Sequence, residues 1–381
     1  MISRERVLNA ILGKQPDRVP IDIGGLSNLT SLHIDAYKKL LDYLGINEDI
    51  VISSFTHQSA AVSPAVRQAL HSDTYPIFIP KTPANIIVKP DGSQQFEDEW
   101  GSVWKMPKGG FYYDNISSPF NGCCEEDLLN FTVPEACSQE IIRKIKPQAE
   151  AAYKAGLFTI LNMPVSGSIY ALAQSLYGYS DFFVAMMIEP ELAHRMINLA
   201  LEYQLKFFKT AIEELDGLVD AVLLADDLAT QTGPLMSPEL YYEFVKPAHK
   251  KAVDEYLTHG VKTIFHCCGA ASSYIPDMAD IGFIAWNPVQ VSAAGNQDTA
   301  KLKADYGDKI VFWGGTCDSQ NTLVNGSPDD VRSETKRRIH DLAPGGRFVA
   351  SSIHNVQRDV PVENMIALYE SFYKYGQEVY Q

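Results

Sequence analysis

The chain has 381 residues, of which 46% are hydrophobic, and it carries a formal net charge of −15 at pH 7. This length and hydrophobic content suffice for a large core, whereas the acidic balance and the scattered Lys and Arg residues disfavour binding to nucleic acid or to an anionic membrane. No run of about 18 apolar residues predicts a membrane-spanning helix.

The N-terminal sequence MISRERVLNA has neither the apolar segment nor the small-residue cleavage site of a signal peptide, so we expect a cytoplasmic protein. Six cysteines in a chain of this length do not form a disulfide scaffold. In a reducing compartment such cysteines are expected to be buried, metal-bound or reactive.

Short apolar segments alternate with longer amphipathic segments along the chain. Near-continuous apolar runs are typical of strands in a buried parallel sheet. These runs are residues 19–25, 49–55, 157–165, 221–229, 262–269, 283–290, 310–317 and 347–355. Helical patterns cover residues 191–215, 238–258 and 328–342, and the last begins after Ser327 as N-cap, with a proline in its first turn.

Eight strand candidates that alternate with helices predict an α/β fold, a (β/α)8 TIM barrel. An open doubly wound sheet is the alternative, but the number of strands and the chain length favour the barrel. We expect residues 1–381 to form a single domain.

Residues 86–114 interrupt the alternation. Turn signals in this segment, Pro-Asp-Gly and Lys-Gly-Gly, predict antiparallel hairpins inserted into an early loop of the barrel. The aromatic residues of the insertion are Trp100, Trp104, Phe111, Tyr112 and Tyr113. They fit either a small aromatic cluster that covers one end of the barrel or a wall over the active site, which barrel loops build.

Cysteine and histidine residues stand at the predicted ends of two strands. His266 and Cys268 share one face of the strand 262–269, since side chains alternate, while Cys267 faces the opposite side and is expected to pack in the core. Cys317 ends the next strand but one. One imidazole and two thiolates suit Zn²⁺ and leave a fourth position open, as in catalytic sites. The alternative is that these residues are buried without a metal.

Other polar side chains follow further strands. Asp226 and Asp227 are adjacent, so at most one of them should enter the barrel mouth, and the other fits an N-cap or a loop contact. A carboxylate in the mouth would orient a substrate or carry a proton. His354, after the last strand, is either a loop anchor or a site residue.

Several motifs together resemble the uroporphyrinogen decarboxylase superfamily. They are Arg18-Val-Pro20, Asp226-Asp227 with residues 233–238, His266-x-Cys268-Gly269, and residues 286–290, 313–320, 344–346, 354–357 and 359–364. The resemblance runs nearly from end to end, and it implies a (β/α)8 barrel.

Within that superfamily, the H-x-C motif and the distant cysteine resemble the corrinoid-dependent zinc methyltransferases. The resemblance implies Zn²⁺ held by His266, Cys268 and Cys317, and a corrinoid supplied by a partner protein. Asp226 or Asp227, Gln290 and His354 would orient the substrate or carry a proton. The substrate would be a small O-, N- or S-methyl donor, such as a methoxylated aromatic compound in an O-demethylation.

Three alternatives to this activity remain open. True uroporphyrinogen decarboxylases hold their substrate with an Arg-rich N-terminal segment, whereas residues 20–30 contain no Arg. Thiol-activating methyltransferases add a Glu ligand about two dozen residues after the histidine, where this chain has Val289-Gln290. The third alternative is a subunit that binds a corrinoid or tetrapyrrole without catalysis. The aromatic segment 362–380 fits packing on the barrel or on a second subunit in a homodimer.

Overall fold

A computed structural model of the protein describes residues 1–164 and 167–381. Within these residues, seven parallel strands form one curled sheet, in which each strand lies beside the next one along the chain. The strands are Thr74–Ile77, Phe158–Leu161, Ala221–Ala225, Lys262–His266, Ala285–Asn287, Val311–Trp313 and Phe348–Val349. The expected (β/α)8 barrel is confirmed.

The segment around Ile21 closes the barrel between the first and last of these strands. Ile21 forms a parallel bridge with Ala350, and its carbonyl accepts the Asp73 amide at 2.7 Å. The predicted strand 19–25 is therefore present as a single bridge in the position of an eighth strand. It is short because Pro20, which has no amide hydrogen, precedes the bridge.

The barrel strands divide their side chains between two apolar cores. Phe158, Leu223, Ile264 and Trp313 pack with other buried residues inside the barrel, whereas the alternating positions, such as Phe265, pack against the helices. His266 has the same parity as Ile264, so the strand directs it to the interior.

Helices surround the barrel, and the predicted ones are present. Residues 191–215 and 328–342 correspond to Pro190–Glu214 and Pro328–Leu342, and Ser327 caps the latter by accepting the Asp330 amide. The predicted helix 238–258 is divided by a π-helical turn. The α-helices of the described chain are Ser3–Ile11, Ile34–Leu44, Pro64–Ala69, Glu125–Asn130, Gln139–Lys154, Tyr170–Tyr177, Tyr179–Ile188, Pro190–Glu214, Pro238–Leu240, Lys246–Thr258, Ile275–Ile281, Thr299–Tyr306, Thr322–Asn325, Pro328–Leu342 and Val362–Glu378. Shorter turns are the 3-10 helices Ser27–Leu29 and Ala271–Tyr274 and the π-helical Tyr241–Val245.

One predicted barrel strand is wrong. Residues 49–55 contribute Ile52–Ser54 to a small antiparallel sheet with Ser59–Ala60, because the chain turns back at once. Leu32–His33 is the third strand of this sheet. The barrel strand in its place is Thr74–Ile77. The sequence does not predict this strand because it contains Pro76, and proline is rare inside sheets. The predicted strand 157–165 ends at Leu161, and Val165 lies outside the described residues.

The expected insertion is an antiparallel sheet of four strands. They are Ile87–Val88, Gln94–Glu97, Val103–Met106 and Asp114–Ser117, so the sheet extends three residues beyond the predicted segment. The insertion follows the first barrel strand, at the end of the barrel where its strands have their C-termini.

A buried ion cluster stabilises the opposite end of the barrel. Asp73, directly before the first barrel strand, accepts Arg6 at 2.6 Å, Arg18 at 2.8 and 3.0 Å, and the Ile21 amide at 2.8 Å. The Asp73 side chain is fully buried. Arg18, in the Arg-Val-Pro motif, thus fixes the closing segment to the barrel.

The last helix, Val362–Glu378, packs on the barrel's own helices, chiefly on Pro328–Leu342. No helix in the described part of the chain is long and apolar enough to cross a membrane.

Candidate metal centre and its cavity

His266, the last residue of its strand, is oriented by the neighbouring strand. The sheet register pairs His266 with Asn287, and the Asn287 Oδ1 lies 2.7 Å from His266 Nδ1. The Asn287 amide donates its Nδ2 to the Trp313 carbonyl at 3.1 Å, so its Oδ1 must accept from the imidazole. This assigns the proton to Nδ1 and leaves the Nε2 lone pair free for a metal ion.

Cys268 follows two residues later, where the chain leaves the sheet. Its Sγ lies 3.4 Å from His266 Nε2, and its amide donates to Asp227 Oδ1 at 2.7 Å. Gly269 makes the turn possible, since its φ is +83° and an added Cβ would lie 2.5 Å from the Thr230 carbonyl oxygen. The turn therefore holds the thiol beside the imidazole.

His354 reaches the same place from the loop after the last barrel strand. Its Nδ1 contacts Asn355 Oδ1, and Asn355 also accepts the Tyr112 hydroxyl at 3.1 Å and Gln357 Nε2 at 2.9 Å. The ring centroids of His354 and His266 are 5.6 Å apart. The imidazole is thus held by a network that begins in the insertion.

The ligand atoms of His266, Cys268 and His354 all lie within 4.8 Å of one another. Burial lowers the pKa of His266 to about 4 and lowers that of His354, so both rings are neutral at pH 7. Burial raises the pKa of the Cys268 thiol well above its usual value, with Asp227 adding to the effect. Two neutral imidazoles and a thiol form a donor set suited to Zn²⁺, which would displace the thiol proton.

Cys317 lies elsewhere. Its Sγ is 3.7 Å from Glu334 Oε2 on the helix Pro328–Leu342, and it is not part of the three-residue group. The strand before it ends at Trp313, and Gly314 and Gly315 then turn the chain with φ of +95° and +80°. The alternation used to place Cys317 therefore stops four residues before it. Cys267 packs in the core as expected.

The two adjacent aspartates are separated as their alternation predicts. Asp226 is buried on the helical side, where it accepts four backbone amides of residues 168–171 at 2.8–3.2 Å and His249 Nε2 at 2.8 Å. It therefore stabilises the start of the helix Tyr170–Tyr177 and does not line the cavity. Asp227 is the carboxylate at the mouth.

The Gln290 side chain makes its hydrogen bonds to neighbouring loops. Its Oε1 accepts the Gly269 amide at 2.8 Å, and its Nε2 donates to Gln231 at 2.8 Å and Ser292 at 3.2 Å. These contacts support the turn that carries Cys268.

A cavity of 220 Å³ opens beside the donor group at the C-terminal end of the barrel. His266, His354 and Asp227 line this cavity. Aromatic, apolar and imidazole side chains complete the lining, among them Leu29, His57, Trp104, Met163, Tyr179 and Leu223. A larger cleft of 660 Å³ shares His57, Trp104 and Met163 with the cavity, so the two adjoin.

The insertion supplies both a wall of the cavity and a cluster of its own. Trp104 lines the cavity, and its indole nitrogen donates to Asp98 at 2.7 Å. Trp100 is buried against Tyr203 and Phe131 instead. Both interpretations of the aromatic residues thus apply, to different side chains.

His57 and Asn287 are site residues that the sequence did not single out. His57 lies in the small antiparallel sheet's turn, with Nδ1 2.9 Å from the Ser54 hydroxyl, and burial lowers its pKa to about 4. The sequence did not indicate His57 because it follows residues 49–55, which were wrongly predicted to form a barrel strand. Asn287 ends the observed strand Ala285–Asn287, which lies within the predicted strand 283–290 and beside the strand of His266, and this adjacency is the signal that the sequence offers.

Residues 148–375 match the family model described as uroporphyrinogen decarboxylase (URO-D). The chain belongs to this family. A curated relative, the methylated-thiol–coenzyme M methyltransferase of Methanosarcina mazei, is 25% identical over 211 residues. That match covers 54% of this chain, which spans about half (51%) of the relative's length. A solved structure, the methyltransferase from Methanosarcina mazei, has a TM-score of 0.68 at 18% identity and covers 98% of this chain and 99% of that one. This likeness confirms the fold.

Proposed function

We propose that this URO-D family protein is a zinc-dependent methyltransferase that moves a methyl group between a small methylated compound and a corrinoid bound to a partner protein. The observation that carries the proposal is the group of His266, Cys268 and His354 at the mouth of the barrel. Two relatives named as methyltransferases support the reaction class.

In this proposal His354 takes the ligand position that the sequence assigned to Cys317. The donor set fits Zn²⁺: each imidazole contacts a partner through Nδ1, and the thiol lies beside them. Three protein ligands would leave a fourth position open for the heteroatom that bears the methyl group. Bound zinc would supply Lewis acidity to that heteroatom and stabilise its negative charge.

The residues of the chain would prepare and orient the reaction. Asn287 holds His266 in the tautomer that presents Nε2, and Asp227 fixes the Cys268 backbone through its amide. Trp104, in the wall of the cavity, would help to exclude water from the heteroatom. Asp226 and Gln290 would act indirectly, by holding the loops, rather than on the substrate.

The corrinoid would have to approach from outside the cavity. A space of 220 Å³ is sufficient for a small substrate but far too small for a corrin ring. The partner protein would therefore dock at the end of the barrel where the strands have their C-termini, the usual location of barrel active sites.

Metal content and methyl transfer test the proposal together. The purified protein, refilled with zinc, is expected to hold about one zinc per chain, and His266→Ala and Cys268→Ala are expected to lose both the zinc and the transfer to a corrinoid protein. Cys124→Ser is a matched control, since Cys124 is exposed and outside the site. Zinc-free protein, or full activity in Cys268→Ala, would refute the proposal.

A further inference from the structure

We propose that the cavity selects uncharged methyl compounds and rejects anionic ones, with Asp227 as the residue that sets this selectivity. The inference rests on the proposed function, because it concerns the substrate of the same site. It depends on the charges that line the path from the outer cleft to the donor group.

The inner cavity contains one carboxylate and no basic side chain among its described lining residues. That carboxylate is Asp227, which uses Oδ1 to accept the Cys268 amide. Of the three histidines of the lining, His266 and His354 would bind zinc through neutral imidazoles, and burial lowers the pKa of His57 to about 4. A carboxylate or sulfonate on a substrate would thus find no Arg or Lys partner in the cavity.

Bound zinc would not give the cavity a net positive charge. Zn²⁺ with the Cys268 thiolate carries one net positive charge, and Asp227 carries one negative charge, so the loaded cavity is neutral as a whole. An anion would lose its hydration on entry, and the one counter-charge it could meet is the zinc centre, where it would take the position that the methyl-bearing heteroatom needs. A cation would be repelled by the zinc centre. A neutral molecule meets neither penalty.

The lining of the outer cleft also disfavours anions. Its charged lining residues are Lys81, Glu97, Asp98 and Glu99, and Lys81 is already paired with Glu99 at 2.5 Å. Asp98 accepts the Trp104 indole and two backbone amides. The entrance therefore carries a net negative charge within a chain of net charge −15, which opposes the approach of anions at low salt.

The lining of the cavity favours a neutral molecule that is partly apolar. Trp104 and Tyr179 contribute aromatic rings to the lining, and Leu29, Met163 and Leu223 contribute apolar surface. Ser27, Asn28 and Asn162 add neutral hydrogen-bonding groups. A neutral aryl methyl ether with a hydroxyl substituent matches this lining in size and polarity.

Matched substrate pairs test the inference on the zinc-loaded protein. The pair 3-methoxybenzyl alcohol and 3-methoxybenzoate differs mainly in charge, and calorimetric titration gives both affinities. We expect the alcohol to bind at least tenfold more tightly than the benzoate. In Asp227→Asn this ratio should fall at least threefold through tighter binding of the benzoate, since asparagine still accepts the Cys268 amide.

The control is Asp216→Asn, which makes the same charge change on the exposed turn before the strand Ala221–Ala225, at the opposite end of the barrel. It should leave the ratio unchanged. Equal or tighter binding of the benzoate by the unmodified protein, binding of neither compound, or an unaltered ratio in Asp227→Asn would overturn the inference. Failure of the proposed function is read separately, from zinc content and from methyl transfer.

Discussion

The two ends of the barrel bury polar groups in opposite ways. At the N-terminal end, Asp73 is surrounded by Arg6, Arg18 and the Ile21 amide, so that both oxygens of the buried carboxylate accept hydrogen bonds. At the C-terminal end, His266, Cys268 and His354 bring together three groups that can each give an electron pair. One end of the barrel therefore pairs its buried polar groups to close the fold, whereas the other leaves them available to bind an ion.

Among the tests of this difference, we expect the largest effect from removing the Asp73 carboxylate. Asp73→Ala leaves two guanidinium groups and a backbone amide without their acceptor, and breaking a buried pair in this way costs about 3–5 kcal/mol of unfolding free energy. Urea denaturation measures the loss. Zinc content of the folded protein should not change, because the cluster lies at the far end of the barrel.

Asp17→Ala is the control for that experiment. Asp17 also pairs with Arg6, at 2.7 Å, but 42% of its side chain is exposed, so its removal should cost about 0–1 kcal/mol. Equal destabilisation by the two variants would show that burial is not what makes the Asp73 cluster important.

A second test concerns the third ligand at the opposite end. His354→Ala is expected to weaken zinc binding more than about 100-fold, since even the groups that only support a ligand contribute 10–100-fold. Cys317→Ser should retain normal zinc affinity, because the Cys317 thiol faces Glu334. Competition with a chromogenic chelator measures both. Zinc loss in Cys317→Ser with retention in His354→Ala would restore the ligand set expected from the sequence.

The third and smallest effect is a pH dependence of zinc binding. Burial keeps the pKa of the Cys268 thiol well above its usual value, so zinc must displace one proton from sulfur. The pKa of His266 is lowered to about 4, and that of His354 is also lowered, so the imidazoles release none at pH 7. Affinity should therefore rise about tenfold per pH unit between pH 6 and 8.

Calorimetry in two buffers of different ionisation enthalpy counts the protons released. One proton per zinc at pH 7.5 is expected, and the count should fall to zero in Cys268→Ala if residual zinc binds at all. Release of two or more protons would mean that an imidazole is protonated before zinc arrives.

Much of the fold could be predicted because the barrel strands are continuous apolar runs. The strand Lys262–His266 and the helix Pro328–Leu342 were both recognised from local pattern and capping. The strand Thr74–Ile77 was missed, since it contains a proline and its burial depends on neighbours far away in the chain. A local pattern carries no information about such neighbours.

The site was predictable as far as strand geometry extends. His266 and Cys268 sit at and just beyond a strand end, and Asp226 and Asp227 separate as alternation requires. The sequence offers His354 as a loop anchor or as a residue that orients the substrate or carries a proton, but its place among the metal-binding donors depends on the course of a loop. The position of Cys317 depends on two left-handed glycines, and no periodicity describes the chain beyond them.

Among the described residues, the four-stranded insertion pairs its strands only with one another, and side-chain and loop contacts tie it to the rest of the chain, such as Tyr113 to Thr56, Asn115 to Ser175 and Trp100 against Tyr203. Yet it delivers Trp104 to the cavity and Tyr112 to the network behind His354. Because the barrel strands do not pair with this sheet, hairpins that keep these contacts can be exchanged without breaking the hydrogen bonds between barrel strands. Chimaeras that graft other hairpins here offer a route to new substrate ranges on an unchanged scaffold.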